Sequence, residues 1–390
     1  MMEVLDVVVC GGGASWELVL VRGLGRPELG VRVARRCTDH GELLGTALRD
    51  LPRAVLVDAS LPWVDRDLVT TLRRAGVEVF AIGNSARPLD QIGAHCFPSD
   101  VSAEEVATKI YGFAEPTPAA PVPSTADGTT PRSGRLVTVW GGAGAPGRSS
   151  VAIHLAVEAA RTGTHSLLID ADVWSASVAQ VLGLDESPSL AQAARFAADG
   201  WPSPLTDSVQ AGPHGLAVIA GLARSELWPE VREQAWRAVL AAAVVEYDLV
   251  VVDLAAPIEE DEELAFDRVP FRRNLVTTIA LEHADEIVLV AAADPIGLRR
   301  AVVAHRTLRE REDLADLDLR VVLNRAPRAG RRLQDCSRAV SEWIGVEPAA
   351  LLPEEPVFER VIWEGRPLHD VAPRSKWLRE LRSILEGIQV

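Results

Sequence analysis

Residues Leu136 to Ala156 read LVTVWGGAGAPGRSSVAIHLA, an apolar strand, a glycine-rich turn and a helix start in direct succession. That succession commits the chain to an α/β layer structure. From Gly142 to Ser149 the spacing is that of a Walker A phosphate loop, G-x-x-x-x-G-K-[S/T], with Arg148 in the lysine position. Small residues let such a backbone curl until its N–H groups and the helix N-terminus point at phosphate oxygens. The Ser149 hydroxyl is placed for Mg²⁺. Arginine keeps the lysine's charge but is planar and bulkier, so the exchange is not conservative. Pro146 has no N–H and removes one donor. These departures predict weakened nucleotide binding.

The segments after the loop narrow the reading. Ser166–Val173 reads SLLIDADV, a buried-strand pattern ending in Asp170 and Asp172. Tyr247–Pro257 reads YDLVVVDLAAP, in which four apolar residues precede Asp253, as in a Walker B strand that holds Mg²⁺ through water. Ala284–Leu298 (ADEIVLVAAADPIGL) and Leu319–Arg325 (LRVVLNR) supply two more strands, the second reaching Asn324. In this order the segments resemble the MinD/ParA family of deviant-Walker-A ATPases, with the TadZ/CpaE branch and the actinobacterial septum-site-determining (Ssd) proteins nearest. The resemblance runs from about Arg135 to Val390.

The resemblance implies a three-layer α/β, SIMIBI-type P-loop domain with a parallel-type sheet that binds ATP and Mg²⁺ and forms a homodimer. It implies that Asp172 is the switch carboxylate that positions the attacking water. It matches Gly142, Gly144, Gly147, Arg148, Ser149 and Ser150 to the phosphate-contacting loop, makes Asp253 the Walker B acid on the metal side, with Ser149, and makes Asn324 a reader of adenine. The family's second lysine falls five residues before the Walker position, where this chain has Ala143. The chain contains only two lysines, Lys109 and Lys376, against many arginines. That bias accounts for Arg148 but not for Ala143, so impaired hydrolysis is the expectation.

A length of 390 residues fits two domains. The boundary falls in Glu115–Gly134, EPTPAAPVPSTADGTTPRSG, which has nothing to bury and reads as a Pro-rich tether between residues 1–114 and 135–390. Before it, Val4–Val9, Val31–Arg35, Ala54–Val57, Val77–Ile82 and His95–Phe97 read as strands alternating with helical spacing, a flavodoxin-like parallel sheet. Val55–Pro62 (VLVDASLP) resembles the phosphoacceptor strand of response-regulator receivers, with Asp58 at the acceptor place. The loop after the first strand is Gly11-Gly12-Gly13 instead of an acidic pair, and Phe97 stands where a receiver has lysine. Without metal and lysine, phosphotransfer lacks electrostatic support. A degenerate receiver is expected, with a docking or structural role.

No apolar run approaches the ~20 residues of a membrane span, and the N-terminal residues predict no signal peptide. Cys10, Cys37, Cys96 and Cys336 are scattered without metal-like spacing and read as buried thiols of a cytoplasmic protein. A net charge of −15 argues against broad nucleic-acid binding. Two regions keep that question open: the helix carrying Arg299, Arg300, Arg306, Arg309 and Arg311, and the cluster Arg328, Arg331 and Arg332. Glu259–Glu263 reads as an acidic loop. In the last helix, Trp377, Leu381, Ile384, Leu385 and Ile388 form an apolar stripe, which predicts core packing, against peripheral membrane attachment as the other use of such a helix. The resemblance leaves three functions open: a slow or non-hydrolysing positioning scaffold for a pilus, secretion or division assembly, a working ATPase switch, and a DNA-binding partition protein.

Overall fold

The computed structural model describes residues 4–113, 134–144, 146–259, 272–311, 314 and 317–388. The tether, apart from Gly134, and the acidic run beyond Glu259 lie outside the described residues.

The first sheet is built from β1 (Leu5–Cys10), β2 (Val31–Arg36), β3 (Ala54–Asp58), β4 (Glu78–Ile82) and β5 (His95–Phe97). All five are parallel in the order β2-β1-β3-β4-β5, the doubly wound order of flavodoxin-like folds. The central strands are covered on both faces, which is why β3 reads as a continuous apolar run before its terminal Asp58. Helix starts are fixed by side-chain caps: Asp39 accepts from the Glu42 N–H, Asp65 from Leu68, and Ser102 forms a capping box with Glu105. Cys10 and Cys37 are buried, whereas Cys96 on short β5 is exposed, contrary to the expectation for all four thiols.

Asp58 ends β3 nearly buried, and both carboxylate oxygens are engaged. The Trp16 indole donates to Oδ2 at 2.7 Å, while the Ser60 N–H, at 2.9 Å, and the Ser60 hydroxyl donate to Oδ1. Three donors from within the domain hold this carboxylate and lower its nucleophilicity. Incubation with acetyl phosphate and Mg²⁺ is expected to leave Asp58 unmodified, and a mass increase of one phosphate on its peptide would contradict this.

The second sheet contains β6 (Arg135–Trp140), β7 (Ser166–Ala171), β8 (Gln210–Ala211), β9 (Ala217–Ile219), β10 (Leu249–Leu254), β11 (Glu286–Ala292), β12 (Leu319–Ala326) and β13 (Ala350–Pro353). Their order is β13-β12-β11-β6-β10-β7-β9-β8, parallel throughout except for the β8–β9 edge pair. The helix Arg148–Arg161 is buried on every side from Val151 to Ala160, so it is the central helix of its layer. It packs on β10, and the last helix, Lys376–Gly387, packs on it and on β13.

Polar contacts lock these helices together. His154 is fully buried and stays neutral: its Nδ1 faces the Ser150 carbonyl at 2.7 Å, and its Nε2 accepts from the Leu368 N–H at 2.9 Å. Burial pushes its pKa down to about 3. Glu158, also buried, receives Arg161 at 2.6 Å, Arg382 at 2.8 Å and His369 at 2.8 Å. The apolar face of the last helix is spent on the core, with Trp377, Leu378, Leu381, Ile384 and Ile388 buried and Leu385 partly so. Trp377→Ala should therefore cost about 3–5 kcal/mol of stability, as large-to-small core changes do, measurable as a shift of the urea midpoint.

Candidate nucleotide site

β6 lies between β10 and β11, and chain order reverses about it, so the loops after β6 and β11 diverge at the carboxyl edge of the sheet. Ligands of open α/β sheets bind at such a point. The turn after β6 adopts left-handed backbone at Gly144 (φ 101°) and Gly147 (φ 99°), which side chains resist. A Cβ on Gly147 would also run into the Asn324 amide. Gly147 caps the helix that begins at Arg148, and its carbonyl accepts the Val151 N–H at 3.0 Å. Gly142, Gly144, Gly147, Arg148, Ser149 and Ser150 thus gather at one helix N-terminus, as their spacing predicts. Residue 145 lies outside the described residues.

Arg148 folds back under this loop. Its Nε donates to the Leu254 carbonyl at 3.0 Å, and its Nη1 reaches the carbonyls of Gly141 at 3.3 Å and Gly142 at 3.1 Å. Its Nη2 lies 3.8 Å from the Asp172 carboxylate, and the side chain is 14% exposed. The charge expected to face phosphate is therefore largely used within the chain.

Three carboxylates converge beneath it. Asp170 and Asp253 are register partners on the adjacent parallel strands β7 and β10. Asp170 accepts the N–H groups of Ser177 (2.9 Å), Val178 (3.0 Å) and Asp172 (3.2 Å), which makes it the anchor of the following turn. Burial nevertheless pushes its pKa up to about 6. Asp172 accepts from the Trp174 N–H at 3.0 Å and the Ser175 N–H at 2.9 Å. Asp253 is different: it is 1% exposed, and among the described residues neither carboxylate oxygen has a hydrogen-bond partner. Burial first, and the charge of Asp170 next, drive its pKa well above the ordinary carboxyl value. The nearby Ser149 hydroxyl favours the charged form without reaching hydrogen-bonding geometry.

An orphaned buried carboxylate beside a loop serine is what a Mg²⁺–phosphate group would satisfy. Among the described residues no three His, Cys, Asp or Glu side chains are grouped as a metal site. The donors present fit an ion held chiefly by phosphate, Ser149 and water, with Asp253 behind it.

Asn324 ends up inside the domain, with both amide atoms occupied. Nδ2 donates to the Pro146 carbonyl at 2.9 Å, and Oδ1 accepts from the Trp377 indole at 3.1 Å. In this conformation Asn324 braces the phosphate loop, with its amide oriented by Pro146 and Trp377. Trp174, 44% exposed, lies under the Arg273 guanidinium at 3.5 Å and donates to Asn274 at 3.3 Å, tying the turn after Asp172 to the segment that resumes at residue 272.

A cleft of about 430 Å³ opens between the loop and the start of the helix Pro295–Glu310, with Arg300 and Arg325 on its walls. Arg325 holds left-handed backbone, φ 55°, at a cost of roughly 1–2 kcal/mol for a residue with a Cβ. Nothing in the sequence marks either residue as part of the site. Arg300 reads there as one of several helix arginines, and only its position in the fold separates it from them.

No protein-family model matches the chain. The antiactivator FleN of Pseudomonas aeruginosa is 22% identical over 260 residues, which span 65% of this chain and 86% of that protein. A ParA family ATPase from Chlorobium tepidum superposes with a TM-score of 0.55 at 21% identity, covering 66% of this chain and 100% of the other. The septum site-determining protein MinD from Pyrococcus horikoshii, solved with Mg-ADP, gives a TM-score of 0.53 at 22% identity over 65% of this chain and 96% of the other. The second sheet has the MinD/ParA ATPase fold.

Within this MinD/ParA fold the buried acids carry a pH signature. A carboxyl that binds its proton more tightly folded than unfolded makes folding take up protons. The stability from Asp170 is thus complete below the ordinary value of 3.8 and is lost as pH rises through about 6. Asp253, raised in the same direction, adds to the loss. Urea unfolding of the ligand-free protein should show stability falling across pH 4–6, with a shallower fall in Asp253→Asn.

Proposed function

We propose that this chain is a cytoplasmic positioning factor that binds ATP with Mg²⁺ through its altered phosphate loop and hydrolyses it slowly or not at all. The observation that carries the reading is the contrast between Arg148, spent on loop carbonyls and Asp172, and Asp253, buried and unsatisfied beside Ser149. Backbone N–H groups of the loop around Gly144 and Gly147 would hold the phosphates. Ser149 and Asp253 would hold the metal side. Bound Mg²⁺ would supply charge neutralisation at the phosphate oxygens. Asp172 would have to leave Arg148 before it could orient a water, and Ala143 offers no cation to a second subunit.

In this reading residues 135–390 form the nucleotide-dependent dimerising domain. Residues 1–114 form a pseudo-receiver that docks a protein partner, and 115–134 are the tether. The cargo class is a pilus or secretion assembly, as in TadZ/CpaE proteins, or a septum-site component. Its similarity to an antiactivator agrees with action through protein contact. Buried packing of the last helix favours recruitment by partners over direct membrane attachment through that helix. Among the described residues no helix is long and apolar enough to cross a membrane. The overall acidity leaves DNA the least favoured partner.

Turnover by wild type, Ala143→Lys, Arg148→Lys and the double variant tests the proposal. A cation delivered to the transferring phosphoryl group is worth about 10³–10⁵ in rate, or about 4–7 kcal/mol of barrier. Wild type should bind ATP yet turn over slowly, and the double variant should gain most. Brisk wild-type hydrolysis that disappears in Arg148→Ala would replace this reading with a working ATPase switch.

A further inference from the structure

The cleft beside the phosphate loop holds a cation without a described partner. Arg300 lies on the helix Pro295–Glu310 and lines the same cleft as Gly142, Ala143 and Gly144. A Cβ on Gly142 would meet the Arg300 Cβ at 3.1 Å, and one on Gly144 would run into the Arg300 guanidinium. The side chain therefore lies along the loop from Gly142 to Gly144, across Ala143. It is exposed, and among the described residues no hydrogen bond or ion pair holds it. The acid on the same wall, Asp294, already accepts the N–H groups of Ile296 at 2.9 Å and Gly297 at 2.8 Å as the helix cap. Arg325 adds a second exposed guanidinium to the cleft wall.

We propose that Arg300 is a phosphate-binding residue of the loop, a cation supplied by the same chain at the place where Ala143 supplies none. This rests on the reading of the loop as a nucleotide site. Arg148 is turned inward, so phosphate oxygens entering the cleft meet the exposed guanidinium groups of Arg300 and Arg325, of which Arg300 lies against Gly142 and Gly144. A guanidinium binds two such oxygens through parallel N–H donors, which a lone loop N–H cannot do. ATP binding then does not require a second copy of the chain, and it depends on the length of the phosphate tail.

Calorimetry with Mg·ATP and with AMP on the full chain provides the test, using wild type, Arg300→Ala, Arg300→Lys and, as a control of equal charge on the same helix, Arg299→Ala. Arg300→Ala should weaken ATP binding about tenfold to a hundredfold, the range for losing a charged hydrogen bond, and leave AMP within twofold. Arg300→Lys should recover part of the loss, and Arg299→Ala should match wild type. Wild-type affinity should not change with protein concentration. If wild type binds ATP and Arg300→Ala matches it within twofold, or if Arg299→Ala falls equally, the role of Arg300 is overturned while the nucleotide site stands. If wild type binds no ATP at millimolar concentration, the nucleotide reading itself falls.

Discussion

The Arg148 guanidinium reaches the carbonyl oxygens of Gly141, Gly142 and Leu254 and lies beside the Asp172 carboxylate. Those contacts join the end of β6, the end of β10 and the turn after β7 at one point. A lysine there would present a single compact charge on a flexible stem, free to turn outward. The planar fork instead binds several acceptors at once and keeps the loop curled when no anion is present. Three buried carboxylates thus lie around one internal cation, and among the described residues the oxygens of Asp253 accept no hydrogen bond.

The electrostatics of the site arise from strand register. Asp170 and Asp253 are neighbours because β7 and β10 pair in parallel with those residues opposite. Burial disfavours ionisation of both, the charge of Asp170 adds to this at Asp253, and the backbone N–H groups around Asp170 only partly offset it. Such an arrangement destabilises the empty domain, and a divalent cation with its anion would relieve it. Stability given up at one point of a sheet is a common mark of a binding site.

Much of this was legible in the chain. The run LVVV before Asp253 and the run LLI before Asp170 read as buried strands, and the glycine spacing placed the turn before the Arg148 helix. The short edge strands Gln210–Ala211 and Ala217–Ile219 were not legible, because two or three residues carry no period. The bracing role of Asn324 was hidden for a different reason. Its indole partner is 53 residues away and its loop partner 178, and only the packed sheet brings them together. Arg300 likewise looks like its neighbours until the helix that carries it is laid against the loop.

The contact from Trp377 to Asn324 and on to Pro146 has a mechanical meaning. Trp377 opens the final helix, is wholly buried, and stands two hydrogen bonds from the phosphate loop. The last helix and the turn after β6 are therefore mechanically joined. Whatever lifts that helix from the sheet slackens the loop, and whatever reshapes the loop pulls on the helix. In the nucleotide-binding role proposed above, a partner grasping only that helix would act on the loop without entering the cleft.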